Sequence, residues 1–211
     1  VWDFPPVAVA GDIVAAGADL EPGTVLAAYR RGLFPMPDSH GPLLWWSPVN
    51  RGIIEVAGFT PSRSLRRARK SFEIRVNTAF DQVIRACADP RRPGPWINAD
   101  IIESYTRLHR MGWVHSVEAW AGDELAGGLY GVAIGGLFAG ESMFHHRTGG
   151  SKAAVAGLVE LLSDNYAAER VLDIQWVTDH LATLGATTLP RERFLRRLKR
   201  ALELPLPEAF S

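Results

Sequence analysis

After Gly112 the hydrophobic pattern of the chain changes period from 3.6 to 2. HSVEAW (115–120) alternates as a strand and AGDE (121–124) is a turn. LAGGLYGVAI (125–134) is a second strand, Gly135-Gly136 a second turn, and LFAGESMF (137–144) a third strand. Alternating runs joined by turns this short pair as an antiparallel meander. A helix from about Ser151 to Tyr166 is expected next, then a strand at VLDIQWV (171–177), a short helix near HLATLG (180–185) and a basic helix at RERFLRRLKRAL (191–202). Three meander strands, a helix, and a strand parallel in sense to the third form an α+β pattern.

The N-terminal half is less regular. TVLAAYRRG (24–32) reads as a helix with Thr24 as N-cap and Gly32 at C′. LFPMPDSHGPLLWWSPVN (33–50) is loop-like and must dock on something to be stable. Residues 1–50 are therefore read as a small domain or lid, and 51–211 as the main domain. SRSLRRARK (62–70) is a short helix capped by Ser62 or Ser64, and FEIRV (72–76) a strand. NTAFDQVIRACA (77–88) is a helix begun by Asn77 or Thr78, DPRRPGP (89–95) a loop, and IIESYTRLHRM (101–111) a helix capped by Asn98 or Asp100. The hydrophobic fraction of 47% is enough for a buried core. The one cysteine, Cys87, excludes an intrachain disulfide and a Cys-rich zinc module and is expected to be buried. No charged-then-apolar leader opens the chain and no apolar run approaches the ~18 residues of a membrane span, so a soluble, intracellular protein is expected. Net charge is zero, so only local charge can point to a polyanion. Arg63, Arg66, Arg67, Arg69 and Lys70 supply such a cluster.

The segment GGLFAGESMFHHRTGGSK (135–152) mixes several chemical signals. Glu141 and His145 are four apart, which on a helix would suit one metal ion. On a strand that spacing covers ~13 Å, too long for a shared zinc, so both histidines are expected at a solvated strand end. The Ser-Lys order at 151–152 and the missing upstream glycine exclude a Walker loop; Gly150 and Ser151 instead cap the following helix. Counting by twos places Glu141 on a buried face with Leu137, Ala139 and Met143, where a carboxyl needs a partner. In VLDIQWV, Leu172, Ile174 and Trp176 share one face, and Asp173 and Gln175 the other. Two polar residues on an interior strand mark a site.

The order of elements is similar to the core of the GNAT acyltransferase superfamily, where the strands before and after the central helix splay around an acyl group. The chain as a whole resembles the leucyl/phenylalanyl-tRNA–protein transferases. The resemblance rests on YRRGLFP (29–35), LLWWSP (43–48) with Arg51 just after, SRSLRR (62–67), PWI (95–97), YTRLHRMGWVHSVEAW (105–120), GGLYGV (127–132), GESMF (140–144), SK (151–152), DIQ (173–175) and HLATLGA (180–186), in family order.

This resemblance implies a monomeric cytosolic enzyme with a GNAT-like domain after a small N-terminal domain. It would move Leu, Phe or Met from aminoacyl-tRNA to a protein beginning with Arg or Lys, creating a degradation signal. The donor is already an activated ester, so no cofactor or metal is expected. By family position Gln175 accepts or orients the amine proton, aided by Asp173; Glu141 and Asp173 are also the acids best placed to attract a cationic N-terminal Arg or Lys. Leu129, Val155 and Met143 line the amino-acid pocket or its rim, with Gly140, Ser142 and Ser151 near its backbone; each reads equally as core, and Met143 better as core. Trp96 and Tyr29 are placed at the 3′ adenosine. Met36 stands where the family usually has Trp after Phe-Pro, so either Met36 or one of Trp45 and Trp46 completes the adenine clamp. Arg63, Arg66, Arg67, Arg69 and Lys70 would hold acceptor-stem phosphates. Two other readings remain open on the residues: an acetyl-CoA-dependent N-acetyltransferase, and a non-catalytic tRNA- or peptide-binding module.

Overall fold

The computed structural model describes residues 2–7, 10–38, 41–92 and 94–211. Parts of the two expected loops, residues 39, 40 and 93, lie outside the described residues. The first elements are β1 (Ile13–Ala16), α1 (Pro22–Arg30), β2 (Phe34–Pro37) and β3 (Leu43–Trp46). The helix starts earlier than Thr24, because Pro22 occupies its first turn, where a missing N–H costs nothing. Thr24 is buried inside it, and Gly32 ends it at φ +77°. The stretch after Gly32 is not a loop. β2 and β3 form an antiparallel pair and β1 adds to β3, giving the order β1-β3-β2. Pro35 and Pro37 are tolerated because β2 is the edge strand of this sheet, where a missing N–H need not break a ladder.

Next come β4 (Asn50–Ile54), α2 (Arg63–Lys70), β5 (Glu73–Val76), α3 (Phe80–Cys87) and α4 (Ala99–Arg110). Ser62 caps α2 through the Leu65 N–H at 3.2 Å, and Asn98 caps α4 through the Ile101 N–H at 3.0 Å. Neither Asn77 nor Thr78 caps α3. Asn77 adopts φ +59° and bonds to the Ser116 N–H instead. The orphan N–H groups of Thr78 and Ala79 go to the buried carboxylate of Glu118, at 3.3 and 3.0 Å.

The meander forms as expected: β6 (Val114–Ala121), β7 (Glu124–Ile134) and β8 (Leu137–His145) pair antiparallel in sequence. α5 (Gly150–Leu162) is one turn shorter than expected, and β9 (Val171–Gln175) returns parallel to β8. α6 (Asp179–Ala182), the unforeseen β10 (Ala186–Pro190) and α7 (Arg191–Ala201) follow. The result is a mixed α+β fold with a seven-stranded mixed sheet ordered β10-β4-β9-β8-β7-β6-β5.

Successive strand residues enter different apolar cores: Leu137 and Ala139 one, Phe138 the other; Val171 one, Leu172 the other. The cores therefore lie on opposite faces of the sheet. The first also takes Tyr29 of α1, Tyr105 of α4 and Phe194 of α7; the second takes Leu65 of α2 and most of α5. No helix among the described residues is long and apolar enough to cross a membrane.

Candidate active site

The two parallel central strands pair only at Leu137↔Val171, Phe138↔Leu172 and Ala139↔Asp173. Beyond those pairs each strand carries a bulge. Opposite β7, Gly140 pairs with Gly131 and Ser142 with Tyr130, so Glu141 is the extra residue. Opposite β4, Asp173 pairs with Ile53 and Gln175 with Gly52, so Ile174 is extra. Gln175 adopts φ +59°, rare for a residue with a side chain. The chain turns tightly enough there that Trp176 N–H bonds to the Ile174 carbonyl at 2.7 Å. Gly52 is required beneath this turn: a Cβ would sit 2.9 Å from the Trp176 carbonyl carbon.

Counting in twos holds as far as the bulges and fails after them. Glu141 stays on the first-core side with Leu137 and Ala139, Ser142 turns to the same side, and Met143 joins the second core. Trp176 leaves Leu172 and Ile174 and packs edge-on against Phe34 and Trp46, at 5.1 and 5.6 Å.

Between the parted strands lies a cavity of about 100 Å³. Ile54, Leu129, Met143, Val155, Leu158, Leu172, Ile174 and Leu181 make its apolar wall, so Met143 lines the slot as well as joining the second core; Gly140, Glu141, Ser142 and Gln175 supply its polar side. A larger groove of about 630 Å³ lies between α2 and α5. The small cavity is the better site because buried polar atoms without partners gather at it. Glu141 Oε1 and Gln175 Nε2, both on residues that line it, have none among the described residues. Such atoms cost stability unless a ligand satisfies them.

Glu141 is partly exposed as a residue, but its carboxyl is enclosed. Tyr105 donates to its Oε2 at 3.4 Å, and the Tyr105 and Tyr29 hydroxyls lie 2.6 Å apart. Burial pushes the carboxyl up to about 8, against the opposing pull of the Tyr29 hydroxyl. Burial and the charge of Glu141 hold the Tyr29, Tyr105 and Tyr130 phenols well above their ordinary value.

Asp173 is fully engaged. Arg51 Nε and Nη2 donate to its two oxygens at 2.7 and 2.6 Å, and both side chains are 1% exposed. Arg51 also donates to the Gly32 carbonyl at 3.0 Å and stacks between the rings of Phe34 and Phe194. Asp173 Oδ1 accepts from the backbone N–H of Gln175 at 3.0 Å. Its contact with Gln175 is thus to the main chain, and it has no surface to offer a substrate cation.

The other sequence candidates separate. Tyr29 and Trp45 are buried, at 1% and 0% exposed, so neither presents a ring face to a ligand. Trp45 donates instead to the Gly17 carbonyl at 2.8 Å. Trp46, Met36 and Trp96 are half-buried, and Trp46 donates to the Met36 carbonyl at 3.1 Å. Ser151 is buried in the first turn of α5 and does not line the cavity. Arg63, Arg66, Arg67 and Lys70 are exposed on α2, whereas Arg69 is paired with Glu160 at 2.8 Å. His145 and His146 are exposed at the end of β8. Sequence reasoning missed Tyr105, Tyr130, Trp176 and the role of Arg51. The position of Arg51 just after LLWWSP was the available signal.

A slot between diverging strands, apolar along its wall and carrying one carboxyl and one carboxamide, suits the transfer of a small acyl group, and the sequence relationships make the protein a transferase. It belongs to the leucyl/phenylalanyl-tRNA protein transferase family, whose model matches residues 53–199, with the model for that family's N-terminal domain matching 18–49. It is 46% identical over 206 residues to a leucyl/phenylalanyl-tRNA–protein transferase of Anaeromyxobacter dehalogenans, covering 95% of this chain and 88% of that protein. The enzyme of the same name from Aromatoleum aromaticum is 48% identical over 201 residues (91% and 84% of the two chains). That of Pseudoalteromonas atlantica is 45% identical over 214 residues (98% and 91%).

Proposed function

We propose that the protein transfers Leu or Phe from aminoacyl-tRNA to the α-amine of proteins beginning with Arg or Lys, in the cytoplasm and as a monomer, and so creates a degradation signal. The observation that carries this reading is the pair of unpartnered polar atoms, Glu141 Oε1 and Gln175 Nε2, at one apolar slot. The parted strands support a GNAT-like acyl-transfer domain over residues 51–211. Residues 1–50 form the smaller part, tied to it by the Tyr29–Tyr105 bond.

The amino-acid side chain of the donor takes the apolar end of the slot, lined by Leu129 and Val155, with Gly140 and Ser142 at its backbone side. Each buried CH₂ contributes ~0.8 kcal/mol, which favours Leu and Phe over smaller side chains. The neutral amine nitrogen attacks the ester carbonyl carbon and gives up one proton as the amide forms; the bond from carbon to ribose oxygen breaks, and the leaving ribose oxygen takes up one proton to become a hydroxyl. An α-ammonium has an ordinary pKa of ~7.7–8.0. The Glu141 carboxyl, pushed up to about 8, matches it, so proton exchange between them is nearly thermoneutral. Gln175 offers a donor for the developing oxyanion and an acceptor for the amine. Asp173 is a positioning residue that holds the Gln175 backbone. Half-buried Trp46, Met36 and Trp96 are the candidates to stack on the 3′ adenosine. Ser151, Tyr29 and Trp45 support the fold around the site.

A three-way assay tests this reading. The protein is incubated with an Arg-initiated peptide and either radiolabelled Leu-tRNA or radiolabelled acetyl-CoA. Label should reach the peptide from tRNA alone; transfer from acetyl-CoA, or tRNA binding without transfer, would replace this function with another. Gln175→Ala should lower kcat about 10²-fold, the usual cost of one oxyanion donor, with little change in tRNA affinity. Full turnover in that variant would remove Gln175 from the chemistry. Neutralising Arg66, Arg67 and Lys70 together should weaken tRNA binding and flatten its salt dependence, by about one in log-log slope for each phosphate no longer neutralised. An unchanged slope would take α2 out of the interface.

A further inference from the structure

α7 is the second basic helix of the chain, and two of its cations are used within the fold. Arg191 is buried and donates to the carbonyls of Gly11 and Ser47. Arg197 clamps both oxygens of Glu55 at 2.6 and 2.9 Å. The other four, Arg193, Arg196, Lys199 and Arg200, are exposed. Arg196 meets only Glu192, at 3.9 Å, and the remaining three have no ion-pair partner among the described residues. These four line an open groove of about 550 Å³. In a chain of zero net charge such a density of one sign is local.

The groove and the first basic helix are joined through one stretch of chain. α7 buries Phe194 and Leu198 in the first core and α2 buries Leu65 in the second, so the helices lie on opposite faces of the sheet. The chain that leaves β4 runs from one groove to the other: β4 ends at Ile54 in the wall of the slot, Glu55 borders the α7 groove, and Val56, Phe59 and Pro61 border the α2 groove. Two basic surfaces therefore flank the segment that follows the slot's strand β4.

We propose that the α7 groove is a second phosphate-contacting surface for RNA, acting with α2 on the base-paired part of the tRNA beyond its 3′ end; this rests on the transferase reading above. The chemistry favours RNA. A protein partner would be expected to find apolar or aromatic anchors at the centre of the patch, and a helix that inserts into a membrane surface needs an exposed apolar face. The apolar residues Phe194 and Leu198 of α7 are buried in the core, and the groove presents cations with Leu189 and one acid, Glu55, which Arg197 already neutralises. Double-helical RNA offers regularly spaced phosphates that such cations meet without reading sequence.

The test replaces Arg193, Arg196, Lys199 and Arg200 together by Gln, and in a second protein replaces the three arginines by Lys. Fluorescence anisotropy gives the Kd for uncharged leucine tRNA and for the trinucleotide CCA over a range of salt. The Gln variant should bind tRNA about 10–10²-fold more weakly, with a log-log salt slope shallower by about 2–4, and bind CCA unchanged. The Lys variant should keep most of the affinity, because phosphate contact needs the charge and not the guanidinium plane. Unchanged tRNA affinity and slope would overturn the proposal, as would an equal loss for CCA. A wild-type protein that shows this slope but transfers no leucine would overturn the transferase reading while upholding the α7 surface.

Discussion

Asp173→Ala is expected to destabilise the protein by about 3–5 kcal/mol, the usual cost of leaving one member of a buried ion pair alone. Arg51 would remain 1% exposed between two aromatic rings, its charge uncompensated except by the Gly32 carbonyl. The same substitution frees the Gln175 N–H and with it the left-handed backbone that aims the carboxamide. A displacement near 1 Å at a reacting group can cost about 10²-fold in rate. The double variant Arg51→Met, Asp173→Leu separates the two effects. Removing both charges should restore most of the stability in urea unfolding, while kcat stays low because no acceptor holds Gln175. If the single variant unfolds at the wild-type midpoint, the pair is not what secures this strand. If the double variant regains full kcat, Asp173 does not position Gln175.

The parts of the fold that were legible are those set by local pattern. Ser62 and Asn98 announce their helices by chemistry that acts three residues away. The meander follows from alternation and short turns. What was not legible depends on contacts distant in sequence or on register. The cap of α3 comes from Glu118, some forty residues on. The prolines of β2 argue for a loop until the strand is seen to lie at an edge. The bulges at Glu141 and Ile174 leave composition untouched, yet each reverses the faces of the residues after it. Glu141, Asp173 and Gln175 could therefore be picked out as polar residues on interior strands. That Asp173 would be consumed by Arg51, and that Glu141 would sit under three tyrosines, could not.

Glu141→Gln is the change expected to act most strongly on both stability and chemistry, and pH separates the two. The carboxyl titrates near 8 in the folded protein against an ordinary 4.5. Between those values the folded state holds a proton that the unfolded chain has released. The associated stabilisation is full below about pH 4.5 and is lost as pH rises through 8. Gln mimics the protonated carboxyl and does not titrate. The variant should thus gain stability relative to wild type between pH 5 and pH 9, by something on the order of 3–5 kcal/mol. Urea unfolding of both proteins at the two pH values measures this difference, and a gap that does not change with pH would mean the carboxyl is not held neutral. Activity should move the other way. An amide cannot take the proton of the acceptor ammonium, so kcat/KM for an Arg-initiated peptide should fall by about 10²-fold or more at pH 7. The deficit should shrink toward pH 9, where the amine is deprotonated by solvent. A loss that is the same at every pH would assign Glu141 to binding the acceptor and not to its proton. The more stable variant would then be the less active one, as expected where a buried carboxyl is retained for its chemistry at a cost in stability.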